Sequence, residues 1–209
     1  MILALILTLL FGSCNRDADS YLIEGTTAKQ SGYYYLLEGY NIVDSAEVVN
    51  GHYRFEGQID TRVPVRNIAS ASSAIEVVGN TRFAQVILEG GTIGVSEDDY
   101  SPTGGLKVVG TKGNEAMYNF AVEAMALQEQ IRDCFDNTTR KRLMTRYEKL
   151  VDRTIRRNLD NYAGVNLLMA SGGRYSTEQR REFIERMSSS MRQTEAVENM
   201  IENLNTNNN

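Results

Sequence analysis

Hydrophobic positions along this chain follow two regimes. From Tyr21 to about Gly110, apolar residues come in short runs that alternate with polar ones and are broken by turns, the period of a strand with one buried face. Residues 21–25, 33–37 and 42–49 predict three strands, rich in the aromatic and β-branched residues that fit a pleated surface. Asn50-Gly51 then leads into residues 52–57. Two residues that tolerate positive φ between strand-like runs are the strongest short-range hairpin signal. Tyr53 and Phe55 alternate with Arg54 and Glu56, so one face of that strand is expected in a core. Residues 65–69, 74–78, 83–88, 92–95 and 106–109 predict further strands, punctuated by Gly90-Gly91 and Gly104-Gly105. Many short strands at close spacing predict an antiparallel β-sandwich or open barrel.

From Asn114 onward the period becomes helical. Met117, Phe120, Ala121, Ala124, Leu127 and Ile131 share one face, and the stripe continues to Cys134 and Phe135. Leu143, Tyr147, Leu150, Val151 and Ile155 make a second face, and residues 164–170 a short apolar segment. Ser176-Thr177-Glu178-Gln179 has the spacing of a capping box opening a third helix, with Phe183, Ile184 and Met187 turned inward. Val197, Met200, Ile201 and Leu204 mark a last helix, and residues 205–209 a polar tail expected to stay disordered. The predicted class is α+β: an N-terminal antiparallel β-sandwich or open barrel over 21–110, then an all-helical region over 111–204.

The first fourteen residues stand apart. An unbroken apolar run ends in Gly12-Ser13-Cys14. It is shorter than the ~20 residues needed to cross a bilayer and has the length of a signal-peptide core. Leu9-Leu10-Phe11-Gly12-Ser13-Cys14 resembles the lipobox of Gram-negative lipoproteins, with Phe11 where a leucine is usual. The resemblance implies a signal peptide over 1–13 and lipidation of Cys14, which then anchors the protein in the outer membrane, facing the periplasm or the cell surface. Residues 14–20 read as a polar tether.

The β-rich half resembles a domain of unknown function common in Gram-negative lipoproteins, often followed there by a thioredoxin-like thiol–disulfide oxidoreductase domain. The matching residues are Tyr21-Leu22-Ile23-Glu24-Gly25, Asp44-Ser45, Val49-Asn50-Gly51-His52-Tyr53-Arg54-Phe55-Glu56-Gly57, Val86-Ile87-Leu88-Glu89-Gly90-Gly91-Thr92-Ile93, Val108-Val109-Gly110-Thr111 and Asn114. The helices resemble the family's linker region, where Asn161-Tyr162-Ala163-Gly164 matches an Asn followed by small residues. The thioredoxin-like cysteine pair is missing from these 209 residues, so no redox role is carried to any residue here.

Net charge is −5 overall. Residues 1–111 hold seven Lys and Arg against thirteen Asp and Glu, whereas residues 112–209 hold fifteen against fourteen. The shift coincides with the change of period and supports a boundary near Gly110. Of the two cysteines, Cys14 is the expected lipid site and Cys134 is expected to be a buried thiol. There is no Cys-x-x-Cys.

No catalytic constellation is legible, and the protein is expected to be non-catalytic, without metal or cofactor. His52, the one histidine, lacks a second metal ligand at suitable spacing and reads as a polar strand end. Glu97-Asp98-Asp99 lacks the EF-hand pattern and reads as a solvated loop. Gly110-Thr111-Lys112-Gly113-Asn114 lacks the order of a phosphate loop and reads as a strand-to-helix connection capped by Asn114. Arg140-Lys141-Arg142, Arg146, Lys149, Arg153, Arg156 and Arg157 form the basic concentration. It reads as a solvated face, with anionic lipid headgroups or the acidic β half as possible partners and nucleic acid not expected. Tyr33-Tyr34-Tyr35 and Tyr40 read as largely core, or as an aromatic platform for a glycan or peptide. Asp44-Ser45-Ala46 resembles a bacterial O-glycosylation acceptor. The expected function is a membrane-anchored lipoprotein whose β domain binds or presents an envelope protein or glycan, or else an accessory of a thiol–disulfide interchange lipoprotein.

Overall fold

The computed structural model describes residues 19–71, 84–98 and 105–206. Residues 1–13, Cys14 and most of the tether lie outside them, as do the strand expected at 74–78, Phe83 and Asp99.

Among the described residues, eight strands form two facing sheets of four. The first holds β1 (Ser20–Thr26), β4 (His52–Gln58), β7 (Gly91–Glu97) and β8 (Leu106–Val109), in the order β4-β1-β7-β8. The second holds β2 (Tyr33–Glu38), β3 (Asn41–Glu47), β5 (Val65–Ala71) and β6 (Ala84–Ile87), in the order β3-β2-β5-β6. The result is an open sandwich and not a closed barrel. One pair departs from the expected antiparallel pattern: β1 runs parallel to β7, with Tyr21 opposite Gly91 and Thr26 opposite Ser96. Parallel neighbours need a long connection, and the chain's excursion through the second sheet supplies it.

The Asn50-Gly51 turn forms as the sequence predicts. Both residues take left-handed backbone (φ 52 and 79), and Val49 and His52 exchange backbone hydrogen bonds at 2.9 and 3.1 Å. The flanking strands are nevertheless not hairpin partners. β3 pairs with β2, and β4 pairs with β1 in the opposite sheet. Val48 drops into the core just before the turn, and its N–H donates to the Gly32 carbonyl while Thr27 N–H donates to that of Gly51. The turn is thus the corner where the chain changes sheets.

Inward residues of both sheets, including Ile23, Tyr34, Leu36, Phe55, Ile68, Val86 and Ile93, make one apolar core. Among the described residues six α-helices follow: α1 (Lys112–Arg132), α2 (Asn137–Arg157), α3 (Tyr162–Ser171), α4 (Thr177–Arg186), α5 (Ser189–Arg192) and α6 (Glu195–Thr206), with a short 3-10 turn at Gly172–Arg174. Their core joins Val151, Ile155, Leu168, Phe183 and Val197 to Ile87 of β6. The capping box at Ser176 and Gln179 is present, and Asn161 caps α3 by accepting from Ala163 N–H. Gly164 is required there, because a Cβ would fall 2.2 Å from the Asn158 carbonyl oxygen. The last helix runs to Thr206, and residues 207–209 lie outside the described residues.

Two local expectations are corrected. α1 ends at Arg132, so Cys134 and Phe135 fall in the α1–α2 connection and leave the helical stripe. Cys134 is partly exposed and Phe135 is 96 % exposed. Asn114 is also not the helix cap. Thr111 holds that position, and Asn114 sits in the first turn, buried against β6. Ile87 N–H donates to Asn114 Oδ1 at 2.9 Å, and Asn114 Nδ2 donates to the Ile87 carbonyl and to Thr111 Oγ1, each at 2.7 Å. β6 is an edge strand, so its buried backbone groups need partners, and the amide supplies them as a neighbouring strand would.

Asn114→Ala strands both the Ile87 N–H and its carbonyl. We expect a loss of about 3 kcal/mol, since an unsatisfied buried group costs about 1–3 kcal/mol, read as a lower urea midpoint with an unchanged denaturant slope.

Candidate functional site

The end of the sandwich remote from Ser20 gathers the ends of β1 and β7 and the starts of β2 and β4. There a cavity of about 620 Å³ is lined by Glu24, Gly25, Thr26, Glu47, Val49, His52, Tyr53 and Arg54. Alternation along β1 and β4 turns Glu24, Thr26, His52 and Arg54 outward, while the Asn50-Gly51 corner brings Glu47 and Val49 across from β3. Arg54 is held by Glu56 in an exposed ion pair and lies within electrostatic reach of Glu24, so the wall carries the carboxylates of Glu24 and Glu47 beside one guanidinium. Val49 adds an apolar patch, 58 % exposed. Carboxylates beside an aliphatic surface suit a ligand with hydrogen-bond donors or a cationic group.

Behind this wall, Tyr53 lies flat across Gly25, its register partner, where a Cβ would fall 1.9 Å from the ring. Tyr34 stacks on Tyr53, with centroids 3.8 Å apart and planes 10° from parallel. The Tyr53 hydroxyl is buried and has no hydrogen-bond partner among the described residues. Burial pushes its pKa well above that of an ordinary tyrosine, and the nearby Tyr34 and Glu97 add to the shift.

Glu97, at the end of β7, ties down the β1–β2 connection. Thr27 Oγ1 donates to it at 2.6 Å, Ala28 N–H at 2.8 Å and Tyr34 OH at 3.1 Å. Its partial burial favours the neutral acid, but these hydrogen bonds and the charge of Lys29 outweigh that and hold the carboxyl below its ordinary value.

The structure separates the candidates read from the sequence. His52 is an exposed strand end and lines the cavity. Glu97 and Asp98 are engaged in structure, Asp98 by the Tyr118 hydroxyl at 3.0 Å. Among the described residues no group of three or more His, Cys, Asp or Glu is placed to hold a metal ion. The tyrosine cluster divides. Tyr34 is in the sandwich core, Tyr35 is buried with Leu37 and Ala69 in a separate small cluster, and Tyr33 and Tyr40 are 44 % and 76 % exposed. Ser45 lies exposed on β3, an edge strand. Residues 110–114 carry the clasp of α1 onto β6. Glu24 and Glu47 had no distinguishing sequence signal, because any outward strand position takes such residues.

Two outcomes follow. Glu97 has a depressed folded-state pKa, so it contributes stability above the unfolded value of about 4.3, and that contribution is lost as pH falls through the folded value. Glu97→Gln should therefore melt lower than the parent at pH 7, with the gap closing in melts taken below about pH 4. Tyr53→Phe deletes an unpartnered buried hydroxyl and should leave stability equal or higher by about 1 kcal/mol, whereas Tyr34→Phe, which breaks a bond to Glu97, should lower it by a similar amount; chemical denaturation of both variants reads the difference.

No curated protein and no solved structure matches this chain. Among the described residues no helix is long and apolar enough to cross a membrane. Residues 21–117 match the family model described as a domain of unknown function (DUF4369), a span that takes in β1 through β8 and the start of α1, with Asn114 inside it.

Proposed function

We propose that this chain is a non-catalytic lipoprotein of the cell envelope, held at a membrane by acylation of Cys14, and that its β domain is a binding or presentation module. The Gly12-Ser13-Cys14 ending of the apolar run supports the anchor. The observation that carries the binding role is the position of the cavity relative to the start of β1. β1 begins at Ser20, six residues after Cys14, and ends at Thr26 in the cavity wall. Seven strand residues span about 20 Å, and the six-residue tether reaches about 20 Å at most. The cavity therefore opens at the end of the sandwich opposite Ser20, where the described chain enters β1, and that placement supports access to a partner. The carboxylates and the exposed Val49 fit a glycan or a peptide segment with donor groups facing Glu24 and Glu47.

Cys14→Ser should abolish incorporation of labelled palmitate and leave any remaining membrane association removable by high salt, which the parent protein resists. Unchanged fractionation together with native material lacking acyl chains would sink the anchor. Insulin reduction by the purified chain would overturn the non-catalytic reading.

A further inference from the structure

α2 carries eight Lys and Arg against two acidic residues, Glu148 and Asp152. Six of the cations, Arg142, Arg146, Lys149, Arg153, Arg156 and Arg157, recur at intervals of three or four residues, with Arg157 beside Arg156. At 3.6 residues per turn they fall within an arc of about 100° running about 22 Å along the helix. Leu143, Leu150 and Val151 occupy the packed face, and Glu148 and Asp152 lie outside the basic arc. All six cations are exposed. Arg153 pairs with Glu123 of α1, and Arg156 with Asp152 and with Glu182 of α4. Arg142 faces Asp136, the cap of its own helix. Arg146, Lys149 and Arg157 make no ion pair with a described residue.

The C-terminal end of this stripe lies at the Ser20 end of the molecule. Lys112, at the start of α1, pairs with Asp160 just past α2; Gly113 N–H donates to Glu89; and Gly91 is opposite Tyr21 of β1. A row of exposed cations along one face of a helix offers no concave site for one small anion. It matches a surface of repeated negative charge.

We propose that the α2 stripe docks on anionic phospholipid headgroups, with α2 lying along the bilayer. The attraction stands on the stripe alone, while its usefulness to a tethered protein rests on the Cys14 reading. A basic patch adds electrostatic attraction to whatever hold a lipid anchor provides, and orients the tethered domain on the surface.

The test uses the full chain carrying Cys14→Ser, so that no acyl chain can form and failure of the anchor leaves the result untouched. Sedimentation with vesicles of phosphatidylcholine alone is compared with vesicles that also contain phosphatidylglycerol. The ratio of the two affinities removes any contribution from the apolar residues 1–13. We expect preference for the anionic vesicles, weakening as salt rises. Each basic residue near such a surface contributes about fivefold, so the triple variant Arg146→Gln, Lys149→Gln, Arg157→Gln should lose about a hundredfold. Lys substituted at Arg146 and Arg157 should restore most of the preference. These exposed changes should leave the melting curve unchanged, which separates lost docking from lost folding. Equal binding to both vesicles, or a triple variant that still prefers the anionic ones, overturns the proposal. So does a lipid-free dimer, or DNA binding, that the triple variant abolishes while vesicle preference is absent.

Discussion

The two hydrogen bonds between the Asn114 amide and the Ile87 backbone are the junction on which the rest of the molecule depends. Ile87 belongs to both halves. Its backbone closes the edge of the second sheet, and its side chain lies in the helical core with Val151, Ile155 and Leu168. An edge strand buried under a helix would otherwise carry unpaired N–H and carbonyl groups, each a penalty of about 1–3 kcal/mol. One asparagine in the first turn of α1 removes both penalties and fixes where α1 starts against the sandwich. Glu89 reinforces the joint by accepting from Gly113 N–H, which places a carboxylate at the positive end of the helix.

Within the sandwich the comparable constraint is the stack of Gly25, Tyr53 and Tyr34. A side chain at Gly25 is incompatible with the ring of Tyr53, and the ring in turn gives Tyr34 a flat face from the opposite sheet. The arrangement buries two tyrosines and leaves the Tyr53 hydroxyl without a partner among the described residues. Glu97 absorbs the Tyr34 hydroxyl and also holds the loop through Thr27 and Ala28. Packing at this end of the sandwich and the shape of the cavity wall therefore have common causes.

The molecule is polar in architecture. Ser20, Glu89 and the start of α1 lie at one end; the cavity and the Asn50-Gly51 corner lie at the other. The α1–α2 pair adds a separate surface. Its outer part has a small core of its own, built from Ala124, Leu127, Leu143 and Leu150, distinct from the main helical core.

The sequence by itself determined the local grammar. Period two over 21–110 and period 3.6 afterwards gave the class, Asn50-Gly51 gave a left-handed turn, and Ser176 with Gln179 gave a capping box. These features depend on residues within a few positions of one another. Only tertiary structure decided that the strands flanking Asn50-Gly51 join different sheets, that β1 and β7 run parallel, and that Asn114 bonds to a strand and not to its own helix. It also decided that Phe135 leaves its stripe and that Glu24 and Glu47 share a wall with His52. Each of these turns on which distant segments meet once the sheets and helices have packed, and hydrophobic period carries no record of that.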